Sequence, residues 1–124
     1  MESYLLVMLG SALGGVGRYW CTSLLTRWYG EHFPWGTLAV NILGAFVIGL
    51  VDASATGAPA RQLLMAGLCG GFTTFSAFSL QTLNLVHRHE KLKAGAYVAA
   101  SVTACLVSVW VGHLAGAALG RTWL

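Results

Sequence analysis

The chain has 124 residues, of which 56% are hydrophobic and only 9% are charged, and its mean hydropathy is +0.69. Soluble domains average about 25% charged residues, which argues against a soluble enzyme, a DNA-binding domain or a disordered segment. The net charge of +3 comes from basic residues scattered between apolar runs, so we expect no nucleic-acid partner. Because four spans of about 20 residues fit this length, the sequence predicts a multi-pass protein of the cell (inner or plasma) membrane.

Four apolar runs cover residues 4–28, 34–51, 61–86 and 94–119, and we expect residues 1–124 to form a single four-helix transmembrane domain. The spans must be helical, because lipid satisfies no backbone hydrogen bond and four spans are too few for a closed barrel. Basic residues are only slightly more frequent at one end of the predicted bundle than at the other. A bias this weak permits insertion in either orientation.

Glycines recur four residues apart in three of the spans. This spacing lets helix backbones approach closely, although glycine is common in membrane helices in any case. We expect tight helix packing and self-association from these pairs. The pairs include Gly10/Gly14, Gly67/Gly71 and Gly112/Gly116.

The third span contains the sequence Gly-Gly-Phe-Thr-Thr-Phe-Ser-Ala-Phe-Ser over residues 70–79. Two adjacent glycines followed by β-branched residues make a poor continuous helix, which predicts a break near the middle of the membrane. The freed carbonyls would be hard oxygen ligands suited to Na⁺, and the alternative is a packed, slightly kinked helix. The cationic side chains at the two ends of this span, Arg61 and Arg88, lie too far away to satisfy those carbonyls.

Aromatic and hydroxyl side chains share one helical face beyond the predicted break, at Phe75, Phe78 and Ser79. The positive edges of aromatic rings could attract an anion in a narrow passage, whereas the alternative is ordinary core packing. The second span adds Thr37 and Asn41, whose polar groups could either face the same passage or form an ordinary interhelical hydrogen bond.

The fourth span carries a polar track that includes Tyr97 and Ser101. Arg18 is the one clearly intramembrane ionic residue, and it could be functional, snorkel to the interface, or cap carbonyls of a neighbouring helix. The four carboxylates lie at chain ends or in predicted turns, so no proton relay and no catalytic set lies inside the membrane. We therefore expect passive conduction and no enzymatic activity.

Three segments, residues 14–19, 34–44 and 67–79, resemble the Fluc (CrcB) fluoride channels in sequence, order and spacing. The resemblance implies a four-helix fold with a broken third helix, assembled in the bilayer as an antiparallel, dual-topology homodimer. It implies passive export of cytoplasmic fluoride down its electrochemical gradient, and hence fluoride resistance.

The resemblance also implies a structural Na⁺ at the dimer centre, not transported, held by the backbone carbonyls of Gly70 and Thr73. It assigns Phe75, Phe78 and Asn41 to the fluoride pore, and Thr37 and Ser79 could add hydroxyl donors there. Arg18 would be structural.

On the polar track the resemblance points to Tyr97 and Ser101. This chain has Gln81 where the family often has glutamate, which puts any role of that glutamate in doubt here. An amide can donate as well as accept but carries no charge.

Two other functions remain open from the sequence. A small proton-coupled multidrug-type exporter is also a four-helix, dual-topology dimer, but it needs an intramembrane acid that the first span lacks. A structural membrane subunit could use its glycine faces to pack against a larger partner. Fluoride flux through the purified protein would separate all three.

Overall fold

The computed structural model describes residues 2–54 and 57–123, with side chains up to residue 120, and this part of the chain is helical apart from short connections. The third helix is bent, as predicted, and its first part, α3, runs without interruption through three segments, the middle one π-helical. The helices are α1 (Glu2–Tyr29), α2 (Trp35–Ala53), α3 (Ala58–Arg61, Gln62–Cys69 and Gly70–Phe72), α4 (Phe75–His87) and α5 (Lys91–Trp123).

Three helical stretches in the described part are long and apolar enough to cross a membrane: Trp35–Ala53, Ala58–His87 and Lys91–Gly120. The helix α1 is not among them, although its 28 residues extend about 42 Å, more than the hydrocarbon thickness. Large apolar side chains are exposed along the bundle, as expected of a surface that faces lipid. The protein is therefore a multi-pass membrane protein.

The glycine pairs bring helices together within one chain. A Cβ added to Gly14 of α1 would collide with the Leu68 carbonyl of α3, and one added to Gly112 of α5 would collide with the Phe46 carbonyl of α2. Helix backbones therefore touch directly along both seams. Because these glycines face neighbouring helices of the same chain, they support the expected tight helix packing but not the self-association that the sequence analysis inferred from them.

The third helix is interrupted at Thr73 and Thr74, whose backbones are extended (φ −78°, ψ 158° and φ −151°, ψ 117°). The break lies after the two glycines rather than at them, since Gly70 has helical dihedral angles. A side chain on Gly71 would collide with the backbone of Ser11 in α1. The close approach of α1, rather than a need for local flexibility, explains why Gly71 has no side chain.

The substitution Gly14→Ala should destabilise the protein by about 1–3 kcal/mol, because the added methyl group overpacks the α1–α3 seam. The matched control is Gly15→Ala, where the new Cβ would meet nothing within 4 Å and helix propensity improves equally. Thermal unfolding in detergent measures both variants. Equal melting temperatures for the two would contradict the packing described here.

Candidate functional site

The break in the third helix is held by the side chain of Asn41 from α2. Its Nδ2 donates to the Thr74 carbonyl at 3.0 Å, and its Oδ1 accepts from the Thr74 N–H at 2.8 Å. One amide thus satisfies both backbone groups of a buried residue that lies outside any helix. Extended backbone at membrane depth is possible because it is paired in this way.

Four successive carbonyls, those of residues 70–73, lose their helical donors at the break, because the N–H groups of residues 74–77 form no backbone hydrogen bond to them. In a continuous helix the Thr74 N–H would bond to the Gly70 carbonyl, and the Ala77 N–H to the Thr73 carbonyl. The first N–H donates instead to Asn41, and the second donates to the Thr74 hydroxyl at 3.0 Å, which caps α4. The released carbonyls include those of Gly70 and Thr73, the two residues that the family resemblance assigns to Na⁺.

Arg18 of α1 approaches one of these carbonyls. Its Nη1 lies 3.5 Å from the Thr73 oxygen, at the long limit of a hydrogen bond. Capping the carbonyls of a neighbouring helix is one of the alternatives that the sequence left open for Arg18. The partner, Thr73, could not be named from the sequence, because the glycine seam that brings α1 against α3 is a long-range feature.

A cleft of about 340 Å³, here called the aromatic cleft, opens between α2, α4 and α5. The ring of Phe75 is 79% exposed, and its centroid lies 5.7 Å from that of Phe78. Ser101 is 6% exposed, and its hydroxyl lies next to that of Tyr97. The lining residues are Asn41, Ala45, Ile48, Thr73, Thr74, Phe75, Phe78, Ser101, Val102 and Cys105.

A second cleft, of about 470 Å³, lies between α1, α2 and α4, and we call it the hydroxyl cleft. It shares Thr74 with the aromatic cleft and has a guanidinium, from Arg18, in its wall. The lining residues are Gly15, Arg18, Tyr19, Thr22, Thr37, Thr74, Ser76, Ala77, Leu80 and Gln81.

Tyr97 lies behind the aromatic cleft. It is fully buried, and its ring packs against Phe78 with the centroids 5.3 Å apart. Its hydroxyl donates to Gln81 Oε1 at 3.2 Å, which links the aromatic stack to the hydroxyl cleft. Buried tyrosines generally use the hydroxyl in this way.

The structure brings most of the predicted site residues to these two clefts, but in two groups. Asn41, Phe75, Phe78 and Ser101 line the aromatic cleft, whereas Arg18, Thr37 and Gln81 line the hydroxyl cleft. Ser79 is exposed and lines neither cleft.

Sequence reasoning missed two hydroxyl residues, Thr74 and Ser76, which bond to each other at 3.2 Å. The missed signal was a threonine at the start of a helix, where a hydroxyl caps the first turn.

The family model described as "CrcB-like protein, Camphor Resistance (CrcB)" matches residues 5–113. The chain belongs to the CrcB family. Among its relatives, the "Fluoride-specific ion channel FluC" of Methylocella silvestris is 48% identical over 95% of both chains, and that of Opitutus terrae is 48% identical over 96% of both. The protein of the same name from Rhodospirillum rubrum is 48% identical over 90% of this chain and 92% of its own.

Replacing the capping residue, Thr74→Val, should cost about 1 kcal/mol of stability, because the Ala77 N–H loses its acceptor. The control Thr82→Val removes a hydroxyl that bonds only within its own helix, to the Phe78 carbonyl at 2.8 Å. Chemical or thermal unfolding of the two variants, measured side by side, is the test. A control as destabilised as Thr74→Val would argue against the cap.

Proposed function

We propose that this protein is a fluoride-specific ion channel that conducts fluoride passively out of the cytoplasm and so confers fluoride resistance. The observation that carries the proposal is the 48% identity, over nearly the whole length of both chains, to relatives named as fluoride-specific channels. No carboxylate lies inside the spans to support proton coupling, since Asp52 and Glu90 lie near helix ends.

A fluoride ion entering a narrow pore must exchange its hydration water for other hydrogen-bond donors. The Asn41 amide has two N–H groups and donates one to Thr74, which leaves the other for an anion. The Ser101 hydroxyl is buried in the wall of the aromatic cleft and can donate a hydrogen bond to an anion there. The ring edges of Phe75 and Phe78 add positive potential without charge.

We propose further that two copies assemble as an antiparallel homodimer. Phe75 is 79% exposed beside a cleft that contains polar groups, which is an unusual surface to present to lipid. A second copy related by a two-fold axis would cover it and present the same surface in return. The small difference in basic residues between the two ends of the bundle suits insertion in both orientations.

The carbonyl oxygens released at the break suit a structural Na⁺ as ligands. The Gly70 and Thr73 carbonyls have lost their helical donors, and a two-fold axis would double them to four hard oxygen ligands. The Arg18 guanidinium, 3.5 Å from the Thr73 oxygen, is the cation that would compete for this position. When bound, the ion would supply fixed positive charge outside the pores.

Purified protein in liposomes should dissipate a fluoride gradient without an imposed pH gradient, since the spans contain no acid to couple protons. A fluoride-selective electrode measures the efflux, and protein-free liposomes give the background. Efflux that requires a pH gradient would instead indicate a coupled exporter, and no efflux at all would indicate a structural subunit.

Phe78→Ile, which keeps an apolar side chain but removes the ring quadrupole, should sharply reduce the flux.

Replacing Na⁺ on both sides of the membrane with a large organic cation should weaken or abolish fluoride flux, because the carbonyls would lose the ion that fits them. The control variant Thr73→Val keeps the backbone carbonyl and removes only a hydroxyl that bonds to Cys69 at 2.9 Å. We expect it to retain both flux and cation dependence. Equal flux in Na⁺ and in the large cation would rule out the proposed cation site.

A further inference from the structure

Arg18 places a guanidinium inside the helix bundle with no carboxylate to balance its charge. The residue lies well within α1, and its side chain is half-buried. The ion pairs in the described part of the chain involve other cations, and their carboxylates come from Asp52 and Glu90. An intramembrane charge is costly, so the groups that Arg18 does contact deserve an explanation.

The guanidinium contacts a carbonyl that the break has released. Its Nη1 lies 3.5 Å from the Thr73 oxygen, which lost its helical donor because the Ala77 N–H donates to the Thr74 hydroxyl. Arg18 thus supplies positive charge at one of the two carbonyls proposed as ligands of Na⁺. A contact at the long limit of a hydrogen bond is weak, so another cation can replace it at low cost.

The same guanidinium has a second position within reach. Arg18 also lines the hydroxyl cleft, together with Thr37 and Ser76. Their hydroxyl oxygens can accept hydrogen bonds from a guanidinium, and the arginine side chain is long and flexible. Two cations at the Thr73 oxygen would repel each other strongly, because protein and lipid screen charges poorly. A metal ion at this oxygen and the Arg18 contact therefore exclude each other.

We propose that Arg18 regulates the cation site by competing with Na⁺ for the Thr73 carbonyl. The guanidinium contacts this oxygen when no metal ion is bound, and it moves to the hydroxyl cleft when Na⁺ binds. The proposal rests on the proposed Na⁺ site and adds a competitor from the same chain. Competition is reciprocal, so removing the guanidinium should tighten Na⁺ binding. If Arg18 only oriented the Thr73 carbonyl for the ion, its removal would weaken Na⁺ binding.

The test measures Na⁺ binding by thermal unfolding of the purified protein in detergent, with a large organic cation replacing Na⁺ at constant ionic strength. Stabilisation begins once the Na⁺ concentration exceeds the dissociation constant, so the titration reports that constant. Arg18→Met keeps an unbranched side chain without the charge, and it should lower the dissociation constant about tenfold or more. Arg18→Lys keeps the charge and should stay within about threefold of the wild-type value.

Arg27→Met is the matched control, because it removes the same charge from the same helix. Arg27 lies about 14 Å further along α1 by helix rise and lines neither cleft. We expect it to retain the wild-type dissociation constant. Each variant is compared with itself in Na⁺-free buffer, so a general loss of stability in Arg18→Met does not affect the result.

Nuclear magnetic resonance measures the movement of the side chain separately. The Nε–H resonance of Arg18 is assigned by its absence from the spectrum of Arg18→Lys. It should shift during the Na⁺ titration with the dissociation constant found by unfolding, because the guanidinium changes its hydrogen-bond partners.

An unchanged or larger dissociation constant in Arg18→Met would overturn the proposal. An Nε–H resonance that stays in place while Na⁺ stabilises the protein would also overturn it. A wild-type protein that Na⁺ does not stabilise would reject the cation site itself, and this proposal with it. Fluoride flux is measured independently of these titrations, so none of the outcomes is confused with a failure of the channel function.

Discussion

The pairing between the Asn41 side chain and the Thr74 backbone is the interaction on which the rest of the site depends. Both hydrogen bonds have ordinary lengths, 3.0 and 2.8 Å, and both satisfy backbone groups that lipid could not. An unsatisfied backbone group at this depth would cost several kcal/mol. Without the Asn41 amide, a continuous third helix would therefore be more stable than the broken one. Asn41 therefore acts first as the residue that keeps the break open.

The break determines where the chemistry lies. It turns the Phe75 and Phe78 rings toward α5, releases the Gly70 and Thr73 carbonyls, and starts a new helix at the Thr74 cap. The aromatic cleft and the hydroxyl cleft meet at that same threonine. A single local departure from helical geometry thus places hydrogen-bond donors on one set of surfaces and releases backbone carbonyls on another.

The helices and the existence of the break could be predicted from the sequence, because hydropathy and helix propensity are properties of short segments. The exact position of the break could not. Gly70 and Gly71 suggested a flexible point, but Gly71 is small because Ser11 of another helix packs against it. The break lies where a long-range partner, Asn41, provides an alternative to the helical hydrogen bond.

The same limit applies to individual side chains. Helical spacing correctly places Ser79 on the face of α4 that carries the two phenylalanines, yet Ser79 lines neither cleft and Ser76 lines the hydroxyl cleft. The part of α4 that meets α1 and α2 is set by tertiary packing, which the spacing does not contain. Arg18 was recognised as an unusual intramembrane charge, but its approach to Thr73 depends on the tertiary seam between α1 and α3.

The measurement that tests the central claim most directly is the reversal potential of the purified protein in a planar bilayer, with a fluoride gradient across it and chloride and pH equal on both sides. A passive fluoride-selective path predicts a reversal potential close to the Nernst potential of fluoride, and no change when a chloride or pH gradient is then imposed. A reversal potential that follows chloride or protons would contradict the account.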